Sequence, residues 1–217
     1  MKKLILPLVL LLASSAIFAQ TTTLKTKVDS LNYAAGMVAA ENAKRVLGSD
    51  INPKLFLEAF NAVLKGETPK FTAENAPKVE QTISAGMWKD KNAQFLEMNK
   101  KRPGVITTAS GLQYEVMTKG TSTVSPKATD KVEVHYHGTL YDGTIFDSSV
   151  QRNQTAKFPL NGVIAGWTEG LQYMAEGDKF KFFIPYNLAY GERGRGGLIK
   201  GYSALVFEVE LFKVNPQ

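Results

Sequence analysis

The hydrophobic pattern of this chain changes its period part-way along the 217 residues. In the first half, apolar side chains recur at intervals of three or four residues, the spacing of one helix face and of a coiled-coil seam. After about residue 130 they alternate with polar residues, as in strands with one buried face. We therefore predict an α+β protein, in which an all-α segment precedes an antiparallel β-sheet. The first helical series comprises Leu24, Val28, Leu31, Ala35 and Val38.

Two more N-terminal helices are predicted from their end signals. Asn52 is suited to cap a helix that begins at Pro53 and stops at Gly66. A third helix is predicted from near Thr72 to about Asn99, because a Pro-Gly pair follows and marks a domain boundary. Three helices with so few large apolar residues make a thin core. We expect them to pack against a second copy of the segment or, alternatively, against the C-terminal domain of the same chain.

The C-terminal sequence predicts half-buried antiparallel strands around one short helix. Asp142-Gly143 is typical of a hairpin turn, and the stretch from Gly166 to Met174 predicts a helix on the apolar face of the sheet. We expect a curved sheet wrapped around this helix, with an open end between the two. The inward-facing residues are Val132, Val134 and Tyr136 in one strand, Phe180, Phe182 and Ile184 in another, and Leu205, Phe207, Val209 and Leu211 in the last.

The first residues have the three parts of a secretory signal peptide. Lys2 and Lys3 precede the apolar run 4–12, and small residues lead to Ala19, after which we predict cleavage. An uncleaved anchor helix is the alternative. The apolar run is shorter than the roughly 20 residues of an ordinary membrane span. We therefore expect no stable membrane span after cleavage, and we predict that the mature protein is exported to the periplasm.

Composition narrows the functional classes further. The formal net charge of +6 falls to +4 once the two lysines of the signal are removed, and no basic run is long enough for a nucleic-acid groove. The chain has no cysteine, so an exported form must be stabilised by its core rather than by disulfides. The predicted domains are the signal peptide (1–19), a helical dimerisation or chaperone domain (20–103) and the sheet-containing domain (104–217).

Two histidines could suggest a metal site. Glu133, His135 and His137 alternate along one strand and share the face opposite to its apolar residues, and no further strong ligand is close in sequence. We predict no metal site and no cofactor.

Three short clusters combine aromatic and aliphatic side chains with turn signals. They are residues 136–147 (YHGTLYDGTIFD), 163–167 (VIAGW) and 188–191 (LAYG). Together they indicate an apolar pocket with few polar groups, chief among them Asp147. A pocket without a nucleophile or an acid/base pair can still accelerate a reaction whose transition state is less polar than its ground state. Rotation about an X-Pro peptide bond is such a reaction.

From about Gly111 to Phe212 the sequence resembles the FKBP-type peptidyl-prolyl cis-trans isomerases. The similar stretches are VEVHYHGTLYDGTIFDSS, FPLNGVIAGWTEGLQYM, GDKFKFFIPYNLAYGERG and SALVFEVELF. The resemblance implies that Trp167 forms the pocket floor, that Asp147 faces the prolyl carbonyl and that Tyr190 donates a hydrogen bond to the substrate backbone. The predicted catalytic residues are Tyr136, Phe146, Asp147, Trp167, Tyr190 and Phe207. The predicted substrate-binding residues are Arg152, which pairs with the acid, and Phe158, Val163, Ile164, Leu198 and Ile199.

The N-terminal segment resembles that of the dimeric bacterial subfamily related to macrophage infectivity potentiator, through LNYAAGMVAAENAK and LFLEAFNAVLKGE. This resemblance implies a homodimer that acts on proline-containing unfolded or partly folded polypeptides, with macrolides as candidate inhibitors. Two departures affect substrate preference and macrolide affinity. Ala156 replaces a wall phenylalanine, and Arg195 replaces a histidine at the tip of a flap predicted over residues 191–202. The alternative function is a non-catalytic dimeric periplasmic chaperone or binding module on the same fold.

Overall fold

The computed structural model describes residues 23–216, which form two compact units, 23–67 and 68–216. The predicted signal peptide, residues 1–19, lies outside this range. The helices are α1 (Lys27–Leu47), α2 (Pro53–Lys65), α3 (Ala76–Asn99) and α4 (Ala165–Gly170). The strands are β1 (Val105–Thr107), β2 (Gln113–Thr118), β3 (Lys131–Leu140), β4 (Ile145–Ser148), β5 (Ala156–Pro159), β6 (Lys179–Ile184) and β7 (Leu205–Val214). Between residues 23 and 216, no helix is long and apolar enough to cross a membrane.

The first unit consists of α1 and α2, whose ends follow from their capping residues. Thr26 and Asp29 form a reciprocal capping box at the start of α1. Asn52 Oδ1 accepts hydrogen bonds from the backbone at the start of α2, and Gly66 ends that helix in the left-handed conformation with φ 69°. These observations confirm the predicted limits of the second helix. No residue of either helix is buried within the described part of the chain.

The second unit is built on one antiparallel sheet. Its strand order is β1-β2-β6-β7-β3-β4, and β5 also pairs with β3. β4 pairs with residues 137–139 of β3 and β5 with residues 131–134, so the two short strands share one edge of the long strand. An N-terminal helical region followed by an antiparallel sheet confirms the predicted α+β class.

Helix α4 packs closely on the sheet because glycines face it. A Cβ atom on Gly166 would lie 2.4 Å from Ile184 Cγ2, and one on Gly170 would lie 2.7 Å from Phe182 Cε1. These two glycines are four residues apart and therefore share one helix face. The predicted helix from Gly166 to Met174 is in fact α4 followed by a 3₁₀ turn at Leu171–Tyr173.

Helix α3 packs against the sheet within the second unit. Phe95 lies 6.1 Å from Phe183 between ring centroids, and the Asn99 amide donates to Gln113 Oε1 at 2.8 Å. The helix begins at Ala76, four residues later than predicted, and ends at Asn99 as predicted. The two compact units divide after Glu67, whereas the sequence predicts a domain boundary between residues 103 and 104. The assignment of residues 20–103 to one dimerisation or chaperone domain stays a prediction.

Candidate active site

Strand β3 directs alternate side chains to opposite faces of the sheet. Val132, Val134 and Tyr136 are buried in the core, as the alternating pattern predicts. His135 and His137 lie on the other face, where they line a cavity of ≈ 170 Å³ together with Glu208 and Glu210 of β7. No group of three metal-binding side chains suited to hold an ion exists among residues 23–216.

The indole of Trp167 lies at the centre of an aromatic cluster. Its ring is 5.4 Å from Tyr136, 5.7 Å from Phe158 and 5.2 Å from Phe207, each in a T-shaped arrangement. Such edge-to-face geometry is favoured by the ring quadrupoles. Trp167 is only 4% exposed, because it is one of the buried residues of α4, next to Gly166. The predicted floor residue is therefore surrounded by two of the predicted catalytic residues, Tyr136 and Phe207, and by Phe158, a predicted substrate-binding residue.

A glycine on β3 makes room for the remaining aromatic wall. Phe146 meets Phe207 at 5.4 Å between centroids, and both rings lie against Gly138. A Cβ atom at that position would approach each ring to 2.8 Å. We did not single out Gly138 from the sequence. Its only signal was its place between the inward-facing Tyr136 and Leu140 in the strand pattern.

Three polar side chains form a closed hydrogen-bonded set beside these rings. The Tyr136 hydroxyl donates to Asp147 Oδ2 at 2.5 Å, Arg152 Nη1 donates to Asp147 Oδ1, and Arg152 Nη2 donates to the Tyr136 oxygen at 2.8 Å. The predicted pairing of Asp147 with Arg152 is present. Burial opposes the charge of Asp147, but the hydrogen bonds from Tyr136 and Arg152 outweigh it and hold the pKa of this carboxyl below its usual value.

The same set affects the two partners of Asp147. Burial, followed by the hydrogen bond to the Asp147 carboxylate, raises the pKa of Tyr136. The hydrogen bond to Asp147 raises the pKa of Arg152. At neutral pH the set therefore carries one negative carboxylate, one positive guanidinium and a neutral phenol.

The remaining predicted residues surround the same core to different degrees. Val163, Ile164 and Tyr190 are partly buried and pack against the core cluster that contains Trp167. Ile199 is a buried member of that cluster, whereas Leu198 is 51% exposed. Arg195 Nη1 donates to the Tyr190 hydroxyl oxygen at 3.2 Å, which leaves the hydroxyl proton free to be donated elsewhere.

Comparison with known proteins agrees with this geometry. The family described as FKBP-type peptidyl-prolyl cis-trans isomerase matches residues 122–212, and the domain amino-terminal to such isomerases matches residues 28–116. The peptidyl-prolyl cis-trans isomerase Mip of Coxiella burnetii is 39% identical over 232 aligned positions, which cover 99% of this chain and 99% of that protein. The chain belongs to the FKBP-type peptidyl-prolyl cis-trans isomerase family.

The chain is also similar to two proteins named FkpA. An FKBP-type isomerase named FkpA from Aeromonas hydrophila is 49% identical over 69% of this chain, and the match spans 60% of that protein's length. The crystal structure of FkpA from Escherichia coli superposes with a TM-score of 0.58 at 31% identity, and covers 89% of this chain and 99% of that chain. The predicted family and the predicted FKBP-like fold are thus confirmed, whereas the individual roles of the site residues stay predictions.

Proposed function

We propose that the protein accelerates cis-trans isomerisation of X-Pro peptide bonds, with the proline ring held over the indole of Trp167. The observation that carries this proposal is the convergence of Tyr136, Phe158 and Phe207 on that indole, with the Asp147–Arg152 pair beside them. A proline ring matches such a surface because it is apolar and compact. Aromatic edges and faces also supply large contact area at little cost in side-chain entropy.

The apolar surroundings favour the twisted form of the peptide bond. Amide resonance creates a rotation barrier of about 18–20 kcal/mol and places negative charge on the carbonyl oxygen. Water stabilises that charge in the planar form, and the half-rotated form largely lacks it. Exclusion of water by the aromatic residues therefore raises the free energy of the planar form relative to that of the twisted form. A barrier lowered by about 5–6 kcal/mol would give roughly four decades of rate.

Asp147 adds an electrostatic contribution without transferring a proton. Its lowered pKa keeps it ionised at neutral pH. A carboxylate facing the prolyl carbonyl repels the negative charge of the planar amide more than that of the twisted form. Arg152 and Tyr136 fix the carboxylate through both of its oxygens. The hydroxyl of Tyr190 donates to the backbone of the bound polypeptide.

A peptide isomerisation assay tests this assignment. Replacement of Phe146 or Trp167 by alanine should lower kcat/KM by about tenfold to a thousandfold, equivalent to about 1.4–4 kcal/mol of lost transition-state stabilisation. Asp147→Ala should lower it by about tenfold. Phe212→Ala is the matched control, because Phe212 contacts His135 on the opposite face of the sheet. Equal rates in the folded Phe146→Ala variant and the wild type would refute the pocket.

We further propose that the protein acts as an exported homodimer on unfolded or partly folded polypeptides. The signal-like residues 1–19 support export to the periplasm. The dimer is supported by apolar side chains of α1 and α2 that are exposed within the described chain, including Val28, Leu31, Leu55 and Val63. Two pockets joined in this way would engage one client with avidity. Macrolide binding stays a prediction, with an affinity that depends on Ala156 and Arg195.

A further inference from the structure

Helix α3 contacts the end of the flap (residues 191–202) as well as the sheet. The flap leaves the site region at Gly191 and returns to β7 through Ser203 and Ala204, both of which are buried. The hydrogen bond from Tyr202 N to Gly191 O, 3.1 Å long, closes its base. Whatever holds residues 200–204 therefore also limits the movement of the flap.

The first contact is a relay of hydrogen bonds from Trp88. Its indole Nε1 donates to Ser203 Oγ at 3.1 Å, and the Ser203 hydroxyl donates in turn to the carbonyl oxygen of Lys200 at 2.7 Å. Lys200 follows Ile199, a buried residue of the cluster that contains Trp167. The relay thus joins a side chain of α3 to the backbone of the flap one residue from the pocket wall.

The second contact is made by Asn92, one helical turn further along α3. Its side chain is 2% exposed and uses both ends of the amide: Oδ1 accepts from Ala204 N at 2.7 Å, and Nδ2 donates to Trp88 O at 2.7 Å. The first bond joins residues 112 positions apart in sequence. A buried backbone N–H without such a partner is strongly unfavourable, so the position of Ala204 depends on Asn92.

Charged and aromatic groups reinforce this attachment. Lys89 Nζ lies 4.4 Å from the centroid of the Tyr202 ring, and Lys200 Nζ lies 5.2 Å from the ring of Trp88, both within range of cation–π attraction. Tyr202 itself has φ 61°, a left-handed conformation that is unfavourable for a tyrosine. Such a backbone persists only where its surroundings hold it in place.

We propose that Trp88 and Asn92 are positioning residues of the isomerase, which act through Lys200 and Ala204 to hold the flap against the prolyl pocket. This inference rests on the proposed function for its kinetic consequence. Helix α3, which carries none of the predicted site residues, thus influences substrate retention through the flap. Loss of either contact should loosen the flap, weaken binding of the polypeptide and raise KM, while kcat changes little because the pocket floor is untouched.

The test compares two buried asparagines on the same face of α3. Asn92→Ala removes the contact with the flap, whereas Asn99→Ala removes a buried hydrogen bond to Gln113 in β2 and is the matched control. In the full-length protein, Asn92→Ala should raise KM for a proline peptide by about 2- to 30-fold, and Asn99→Ala should leave it near the wild-type value. Thermal midpoints identify any general loss of stability common to both variants.

Hydrogen exchange supplies a readout that is independent of catalysis. The amides of Gly194 and Arg195 bond only within or next to the flap, to Tyr190 O and Ile199 O. They should exchange faster in Asn92→Ala and not in Asn99→Ala. If the wild type had no isomerase activity, the proposed function would be refuted, but hydrogen exchange would still test the contact between α3 and the flap. Equal effects of the two variants on KM and on exchange, or no effect of Asn92→Ala on either, would overturn the inference.

A milder pair of variants covers the case in which Asn92→Ala does not fold. Trp88→Phe keeps an aromatic ring but removes the indole N–H that binds Ser203. Phe95→Leu is its control, since Phe95 packs on Tyr141 and Phe183 rather than on the flap. Faster exchange at Gly194 and a raised KM in Trp88→Phe alone support the inference, and the same response in both variants contradicts it.

Discussion

At the scale of single residues, the site combines apolar surface with one strongly fixed charge. Asp147 is held by two donors, Tyr136 and Arg152, which together satisfy both of its oxygens. Because these bonds outweigh the effect of burial, the carboxyl ionises more readily in the folded chain than in the unfolded one. The consequence is a site whose charge does not change between mildly acidic and mildly alkaline pH.

This linkage predicts how pH affects an Asp147→Asn variant. The pKa of Asp147 is lower in the folded state, so its contribution to stability is complete above the unfolded value of about 3.9 and is lost as pH falls through the folded value. The wild type should therefore have the higher urea midpoint, by an amount that is constant from about pH 5 to 8 and shrinks below about pH 4. A difference that grew on acidification would contradict the assigned direction.

At the scale of elements, the parts best predicted from sequence are those set by local signals. The capped limits of α2 and the alternation in β3 depend on neighbouring residues, and both were correct. The packing of α3 on the sheet was predicted only as the alternative to packing against a second copy, although β6 carries a sign of it. Phe183 interrupts the lysine face of that strand and is 2% exposed, because Phe95 of α3 covers it.

The site divides in the same way. Phe146, Asp147 and Trp167 could be named because they stand in motifs of a known family, and the structure places Trp167 among Tyr136, Phe158 and Phe207, which were also predicted as site residues. Trp88 and Asn92 could not be named, since a hydrogen bond across 112 residues leaves no periodic or local pattern in the sequence. Contacts of this kind depend on the finished tertiary packing.

At two helical glycines, substitution by alanine should change the stability of the protein in opposite directions. A methyl group on Gly166 of α4 would meet Ile184, whereas one on Gly86 of α3 would meet no atom within 4 Å. Gly86→Ala should stabilise the protein by up to about 1 kcal/mol through helix propensity. Gly166→Ala should destabilise it by about 1–3 kcal/mol and displace the neighbouring Trp167. Denaturant midpoints measure the change in stability of each variant. A change in tryptophan emission in Gly166→Ala, absent from Gly86→Ala, reports the displacement of Trp167.

At the scale of the whole molecule, the boundary after Glu67 separates a unit with a buried core from a unit without one in the described chain. Residues 68–216 contain every buried residue named in the core, from Asn92 to Leu211. Residues 23–67 contribute helices with no buried residue in the described chain. The second unit has its own core, whereas the first presents exposed apolar side chains, a feature typical of interaction surfaces.

This division predicts that α3 is required for a stable isomerase unit. A chain that begins at Thr68 should unfold at nearly the same denaturant concentration as the corresponding transition of the full-length protein. A chain that begins at Gly104 should be less stable by roughly 3–6 kcal/mol, because Phe183 becomes exposed and Ala204 N loses its acceptor. Urea unfolding of the two purified fragments measures the difference, and equal midpoints would contradict it.

The exposed faces of α1 and α2 lead to a final prediction about assembly. Leu31 is 69% exposed on the predicted seam, and Tyr33, 57% exposed, points to the other side of the same helix. If the seam joins two chains, Leu31→Glu should convert a dimer into a monomer at micromolar concentration, since a buried unpaired carboxylate is strongly unfavourable. Tyr33→Glu, the matched control, should leave the dimer intact. Sedimentation mass distinguishes the outcomes: a monomeric wild type, or equal dissociation by both variants, would place the contact elsewhere and would also remove the argument for two pockets acting on one client.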